Sequence, residues 1–320
     1  MRHPEAEPDA ARAGAITQAQ EDAMPPVLTP DQADHAMRNW QAPTPGPVRI
    51  GSREHLQMFC TMLLETHNPY KPAVLDWPKL SPEALQRVTS LPIWDIAVQT
   101  EGRASIRVAT FAATVTDPLL RRALEMDGSE EMRHKDVLSR LVQAYGIALA
   151  PEPAYPPPRD AEWGWLVTGY SECIDSFFAF GLFEVARRSG YFPPALVDTF
   201  EPVIQEEGRH ILFFVNWAAW YRRNLPWWRK PWYALKVAAV WAFLIWERIG
   251  IAKGLDAEGV AQDANFTVNG SGAIGVELKP SEMIDLCLAE NARRMAGYDA
   301  RLLRPNTVPR LARLVRRFLR

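Results

Sequence analysis

Between residues 91 and 224, apolar positions recur every three to four residues in four long stretches, the period of helices that bury one face. The first stretch is 91–116. Asp117-Pro118 then places a capping side chain before a ring suited to a first helical turn, and opens a second helix running to Tyr145-Gly146. The proline-rich run 151–158 reads as a rigid connection. A third helix is expected over 160–189, stopped by Gly190 and Pro193-Pro194, and a fourth over 195–224, before Pro226. Two hairpins of long helices joined by short turns make a four-helix bundle.

The flanks read differently. Residues 1–50 carry prolines at 4, 8, 25, 26, 30, 43, 45 and 47 with few apolar residues, the pattern of a flexible leader. A short helical segment, 51–90, holds expected helices at 53–65 and 81–89. The C-terminal extension, 225–320, begins with a fifth helix over 232–251, apolar nearly all round. A small hairpin follows at 266–278 around Asn269-Gly270, then a helix over 281–303 and a short basic one over 309–320. The expected class is all-α: a bundle over 91–224 with additional C-terminal helices.

Composition narrows the function. With 320 residues, 48% hydrophobic and 23% charged, the chain has the make-up of a globular protein with a sizeable core. A net charge of -2 gives no broad electrostatic reason to bind nucleic acid. Cys60, Cys173 and Cys287 lack the spacing of a disulfide framework or a zinc ribbon, which suits a reducing cytoplasm. Residues 1–20 lack the apolar core of a signal peptide. The most apolar window, 237–246, falls well short of the roughly 20 residues of a spanning helix.

Two of the six histidines end the same pattern, Glu130-Glu131-Met132-Arg133-His134 and Glu206-Glu207-Gly208-Arg209-His210. Both copies lie inside expected helices, where positions i and i+3 project from one face and can grip a metal together. One Glu-x-x-His is weak evidence, and the plain alternative is a solvated charge cluster. The second copy argues against that alternative: Glu207 shares its face with Val203, Ile204, Ile211 and Phe214, where a carboxylate and an imidazole would be buried without partners. In the other copy Asp127 and Lys135 flank Glu131, while Leu124, Leu138 and Val142 turn the face inward.

A complete two-metal site needs a further carboxylate from each remaining helix. Glu101 is the only acid on its stripe, and the midpoint between Glu101 and Glu131 is Thr116, at the expected turn. At a rise of 1.5 Å per residue both side chains stand roughly 22 Å from that loop. The same ruler prefers Glu172 over Glu184 as the partner of Glu207, because its midpoint falls at Ser189 and Gly190. Asp175 is either a partner of the site or a polar residue at the core edge. Glu130 and Glu206 are either surface acids or acceptors for the free N–H of a ligating histidine, across the bundle.

Glu101, Glu131-x-x-His134, Glu172 and Glu207-x-x-His210 together resemble the ferritin-like di-iron carboxylate superfamily. That group includes rubrerythrins, ribonucleotide reductase small subunits, multicomponent monooxygenases, arylamine N-oxygenases and quinone-biosynthesis hydroxylases. The resemblance covers about residues 91 to 224. It implies that these six residues bind two iron ions, or an iron and a manganese, and react with dioxygen. Storage ferritins lack flanks of this length. Rubrerythrins usually carry a four-cysteine module that three scattered cysteines do not build. Arylamine N-oxygenases have an extra histidine where this chain has Val203 and Ile204. The spacing is closest to the quinone-biosynthesis hydroxylases, whose flanks differ.

The implied function is a di-iron oxidase or oxygenase of the hydroxylase type, acting with dioxygen on a small, largely apolar organic molecule, with an electron-donor protein as a conceivable partner. The alternative is an iron-binding or ferroxidase-type protein of oxidative stress. Tyr170, Trp163 and Trp165, near Glu172, are candidates for electron relay or simple packing residues.

Trp217, Trp220, Trp227, Trp228, Trp232, Trp241 and Trp246 crowd one stretch, interleaved with Arg222, Arg223, Arg229 and Lys230. In the tail Leu311, Leu314, Val315, Phe318 and Leu319 form one face among arginines. A packed fifth helix and a docked tail are the preferred reading. Peripheral contact with the inner membrane surface is the other, and would favour a lipid-like substrate.

Overall fold

The computed structural model describes residues 26–91, 93–252 and 279–319, which are helical with no strand among them. The hairpin expected at 266–278 and the first 25 residues of the leader lie outside the described residues.

The central helices begin and end where local chemistry satisfies their free backbone groups. Helix α4 spans Trp94–Ala112 and α5 spans Pro118–Ala144, with Asp117 accepting from the Leu119 and Leu120 amides at 3.0 Å. Helix α6, Ala161–Ser189, is capped by Asp160 on the Trp163 amide and closed by Gly190 at φ 65°. Ahead of them α2, Arg53–Glu65, and α3, Pro82–Thr89, are capped by Ser52 and Ser81. All of these match the boundaries expected from the sequence within a turn.

Three expectations change. The fourth helix is two: α7, Pro194–Thr199, and α8, Glu201–Asn224, meet at Phe200. Pro202 is the reason, since it has no N–H to continue the ladder and its ring crowds the carbonyl one turn back. Within the stretch read as a leader, α1 forms over Pro30–Asn39, with Thr29 and Gln32 closing a capping box. Its apolar content is low, but Ala33 and Met37 are one turn apart and both buried. The Gln205 side-chain amide donates to the Pro30 carbonyl, tying α1 to α8. After α9, Arg229–Ala252, helix α10 covers only Pro280–Met295. Gly297 turns left-handed at φ 86° against Arg38, so the helix stops short of 303. Helix α11 is Thr307–Arg316.

Helix α4 packs along α5 and α6, α6 along α8, and α2 against both α5 and α8. Helices α9 and α10 lie on other sides of α6, and α11 rests on α10 and α6. The core between them is rich in rings: Phe111 stacks on Trp165, which meets Phe214 and Trp217 edge-on. No described helix is long and apolar enough to cross a membrane.

Candidate metal centre

Helices α5 and α8 each contribute one Glu-x-x-His pair to a shared interior. One ligand-type atom from each of Glu131, His134, Glu207 and His210 lies within 4.8 Å of the others. His210 Nδ1 is 2.9 Å from Glu131 Oε1, and His134 Nδ1 is 3.3 Å from Glu207 Oε1. From α4, Glu101 Oε2 reaches 3.9 Å from His134 Nδ1. From α6, Glu172 feels the charges of Glu131, Glu207 and His210. Glu131, His134, Glu207 and His210 are thus brought together, with Glu101 beside His134 and Glu172 buried where it feels the same charges. Glu184 is not with them: its carboxylate is held by Arg187 and Arg188 on its own helix. Asp175 sits at the edge with Arg248 and Ser171.

The outer acids occupy the positions expected across the bundle. His134 Nε2 is 2.9 Å from Glu206 Oε2, and His210 Nε2 is 2.7 Å from Glu130 Oε2. Each carboxylate only accepts, so each Nε2 carries the hydrogen. In the neutral ring the Nδ1 lone pair is then free and aimed inward. The two motifs cross: the outer glutamate of one holds the histidine of the other, and also its arginine. Arg209 Nη1 donates to both Glu130 oxygens at 2.9 and 3.0 Å, and Arg133 donates to Glu206 Oε1. His67 lies 2.5 Å from Glu130, and the Tyr70 hydroxyl donates to Glu206 at 3.3 Å.

His67, Glu130 and Glu206 form a second converging group. Arg133 and Arg209 already neutralise it, so it is the weaker candidate for a cation. Among the described residues no arginine is paired with the first group, whose carboxylates face its own two histidines.

Its inward atoms are orphans. Among the described residues, Glu131 Oε1, both oxygens of Glu172, and the Nδ1 atoms of His134 and His210 are buried with no hydrogen-bond partner. The short Nδ1-to-carboxylate distances therefore mark atoms converging on one space rather than bonds between them. Stranding such groups costs several kcal/mol each unless something cationic joins them. The set is able to hold a metal ion.

Asp127, which flanks the first motif, lies beside this space on the Nε2 side of His210. It is fully buried, its Oδ1 lies 3.5 Å from His210 Nε2, and neither oxygen has a hydrogen-bond partner among the described residues. The signal was available: 127, 131 and 134 share one helical face. Arg133 and Arg209 occupy the same place in the two motifs, and that repetition is the sequence signal for their shared role on the outer glutamates.

The electrostatics follow from crowding acids in a dry place. Burial pushes Glu101 and Glu172 well above the usual carboxylate range, and the charge of Glu131 adds to both. Burial lifts Asp127 to about 7 against the pull of His210. Burial would lower His134 and His210, but their carboxylate neighbours, Glu206 and Glu207 for one and Asp127, Glu130 and Glu131 for the other, hold both well above the ordinary value. Burial likewise opposes the ionisation of Glu130, and Arg209 with His210 and His67 overcomes it, keeping Glu130 an anion.

The three nearby aromatics pack: Trp163 on Phe243, Trp165 in the core, Tyr170 between Phe214 and Trp241. No family model, curated protein or solved structure matches the chain.

Proposed function

We propose that this is a ferritin-like di-iron carboxylate protein, with Glu101, Glu131, His134, Glu172, Glu207 and His210 as the metal ligands. It acts as an oxidase or oxygenase on a small, largely apolar organic molecule. The observation that carries the metal reading is the set of buried, unpartnered donors from α5, α6 and α8, centred on the converging Glu131, His134, Glu207 and His210. Carboxylate oxygens with two imidazoles suit iron or manganese better than a thiol-preferring metal. The oxygenase step rests on the resemblance of the ligand pattern.

Bound iron would supply the electrons for reducing dioxygen. The chain supplies the rest. Glu130 and Glu206 fix the tautomer and tilt of the two rings and make their Nδ1 atoms more basic. Arg209, buried and bonded to Glu130, keeps that carboxylate charged. The Ser176 hydroxyl donates to Glu207 Oε2 at 3.0 Å and orients it. Phe214, one turn beyond His210, joins Trp165 in closing that side to water.

Anaerobic loading with ferrous iron followed by metal analysis tests the assignment. The expected outcome is about two ions per chain, most of it lost in Glu131→Ala and His210→Ala. Unchanged stoichiometry in both variants would count against these ligands. Oxygen uptake yielding an oxidised organic product supports the oxygenase; ferrous oxidation with no organic product points to the iron-handling alternative.

A further inference from the structure

Helix α9 is amphipathic in an unusual sense. Its inner face, with Tyr233, Val240 and Leu244 buried, packs on α6. Its edges are pinned by Lys236 on Asp160 and Glu162, and by Arg248 on Asp175. Every exposed residue between Pro231 and Trp246 is apolar. Trp232, Leu235, Ala238, Ala242, Ile245 and Trp246 form the stripe, about 22 Å long at the helical rise. Trp232 is 73% exposed and Trp246 69%. At the N-terminal end Trp227 and Trp228 stand in solvent as well. Exposed apolar surface of this extent and continuity is a contact surface on folded proteins.

Charge identifies the contact. No Asp or Glu occurs between Glu207 and Glu247, although acids slightly outnumber bases over the chain. Arg222, Arg223 and Arg229 are exposed beside Trp227 and Trp228. Indole rings with a wet N–H, an apolar stripe and cations at its end match the boundary between acyl chains and anionic headgroups. The tail shows the same chemistry independently. Leu311, Leu314, Val315 and Phe318 are exposed on and just after α11, beside Arg310, Arg313 and Arg317, and residues 300–320 contain no acid. Both segments are apolar and carry cations without an acid of their own, the chemistry that an anionic phospholipid surface recognises.

We propose that the outer face of α9 docks this protein on a phospholipid bilayer that carries anionic headgroups, lying in the interface without crossing it. The full chain is tested by co-sedimentation with phosphatidylcholine vesicles, with and without about one-third phosphatidylglycerol. Wild type is expected to bind the anionic vesicles, and elevated salt to weaken the binding. Trp232→Ser with Trp246→Ser, and separately Arg222→Glu with Arg229→Glu, should each weaken binding about tenfold or more. These positions are exposed, and an unchanged thermal midpoint confirms that the variants fold. Failure of wild type to sediment with either vesicle overturns the proposal. So does binding that the tryptophan substitutions leave intact. Self-association abolished by those substitutions, without vesicle binding, would assign the face to a second copy of the chain and overturn it equally.

Discussion

The inward Nδ1 atoms of His134 and His210 depend on partners outside the ligand set. Glu206→Gln leaves the size of the side chain unchanged but replaces an anionic acceptor with a neutral amide, so His134 is held less firmly. Iron affinity, read by chelator competition, should fall about 10- to 100-fold with the helical signal retained. The metal-free centre also makes a pH prediction. Glu101, Glu172, His134 and His210 all have raised native values. A raised group holds a proton in the fold that the unfolded chain releases, above about 4.3 for the acids and about 6.5 for the histidines. Its contribution is full below the unfolded value and is lost as pH rises through the native one. Glu130, held low, behaves oppositely and fades only in acid. Metal-free protein should therefore melt lower at about pH 8.5 than at about pH 6, while iron or manganese, replacing the protons, flattens the difference. Equal melting of the metal-free form at both values would refute this.

At the scale of elements, the close approach of α6 to α8 depends on Gly169. A Cβ at this position would overlap the ring of Phe214, which is buried and contacts Tyr170, Trp165 and Trp217. The ring has nowhere to go, so Gly169→Ala should cost about 1–3 kcal/mol in chemical denaturation. Gly128 on α5 is the contrast. Its added Cβ would meet Val108 at 3.4 Å, an ordinary contact. Alanine there also favours the helix, so Gly128→Ala should stay within about 1 kcal/mol of wild type. The comparison separates crowding at one helix contact from a general effect of removing glycine.

Across the whole molecule, the N-terminal arm and the C-terminal segment are tied through Asp299. Its buried carboxylate takes the Arg301 guanidinium and accepts from the Ala42 amide at 3.0 Å, while Arg301 reaches the carbonyls of Ala42, Thr44 and Gly46. Hydrogen bonds from Arg301 hold Asp299 down at about 2. A depressed acid contributes stability above its unfolded value, about 3.9, and loses it as pH falls through the native one, so the tie is whole at neutral pH. Asp299→Asn should lower stability by about 2 kcal/mol and speed proteolysis in residues 40–46. Unchanged cleavage in that segment would show the arm to be held by other contacts.

Much of this was written locally. Ser52, Ser81, Asp117, Asp160 and Gly190 mark helix boundaries because a cap needs only neighbouring residues. Glu131 with His134, and Glu207 with His210, share faces because a helix has a set period. Equal distances from the two turns singled out Glu101 and Glu172, because helix rise is also local. What lies opposite a face is not a local property. The crossed pairing of Glu130 with His210 and Arg209, and of Glu206 with His134 and Arg133, appears only when α5 and α8 meet. Burial of Asp127, the small apolar face of α1 and the bare outer side of α9 are decided in the same way. Periodicity records which side chains point together, whereas packing determines what they meet.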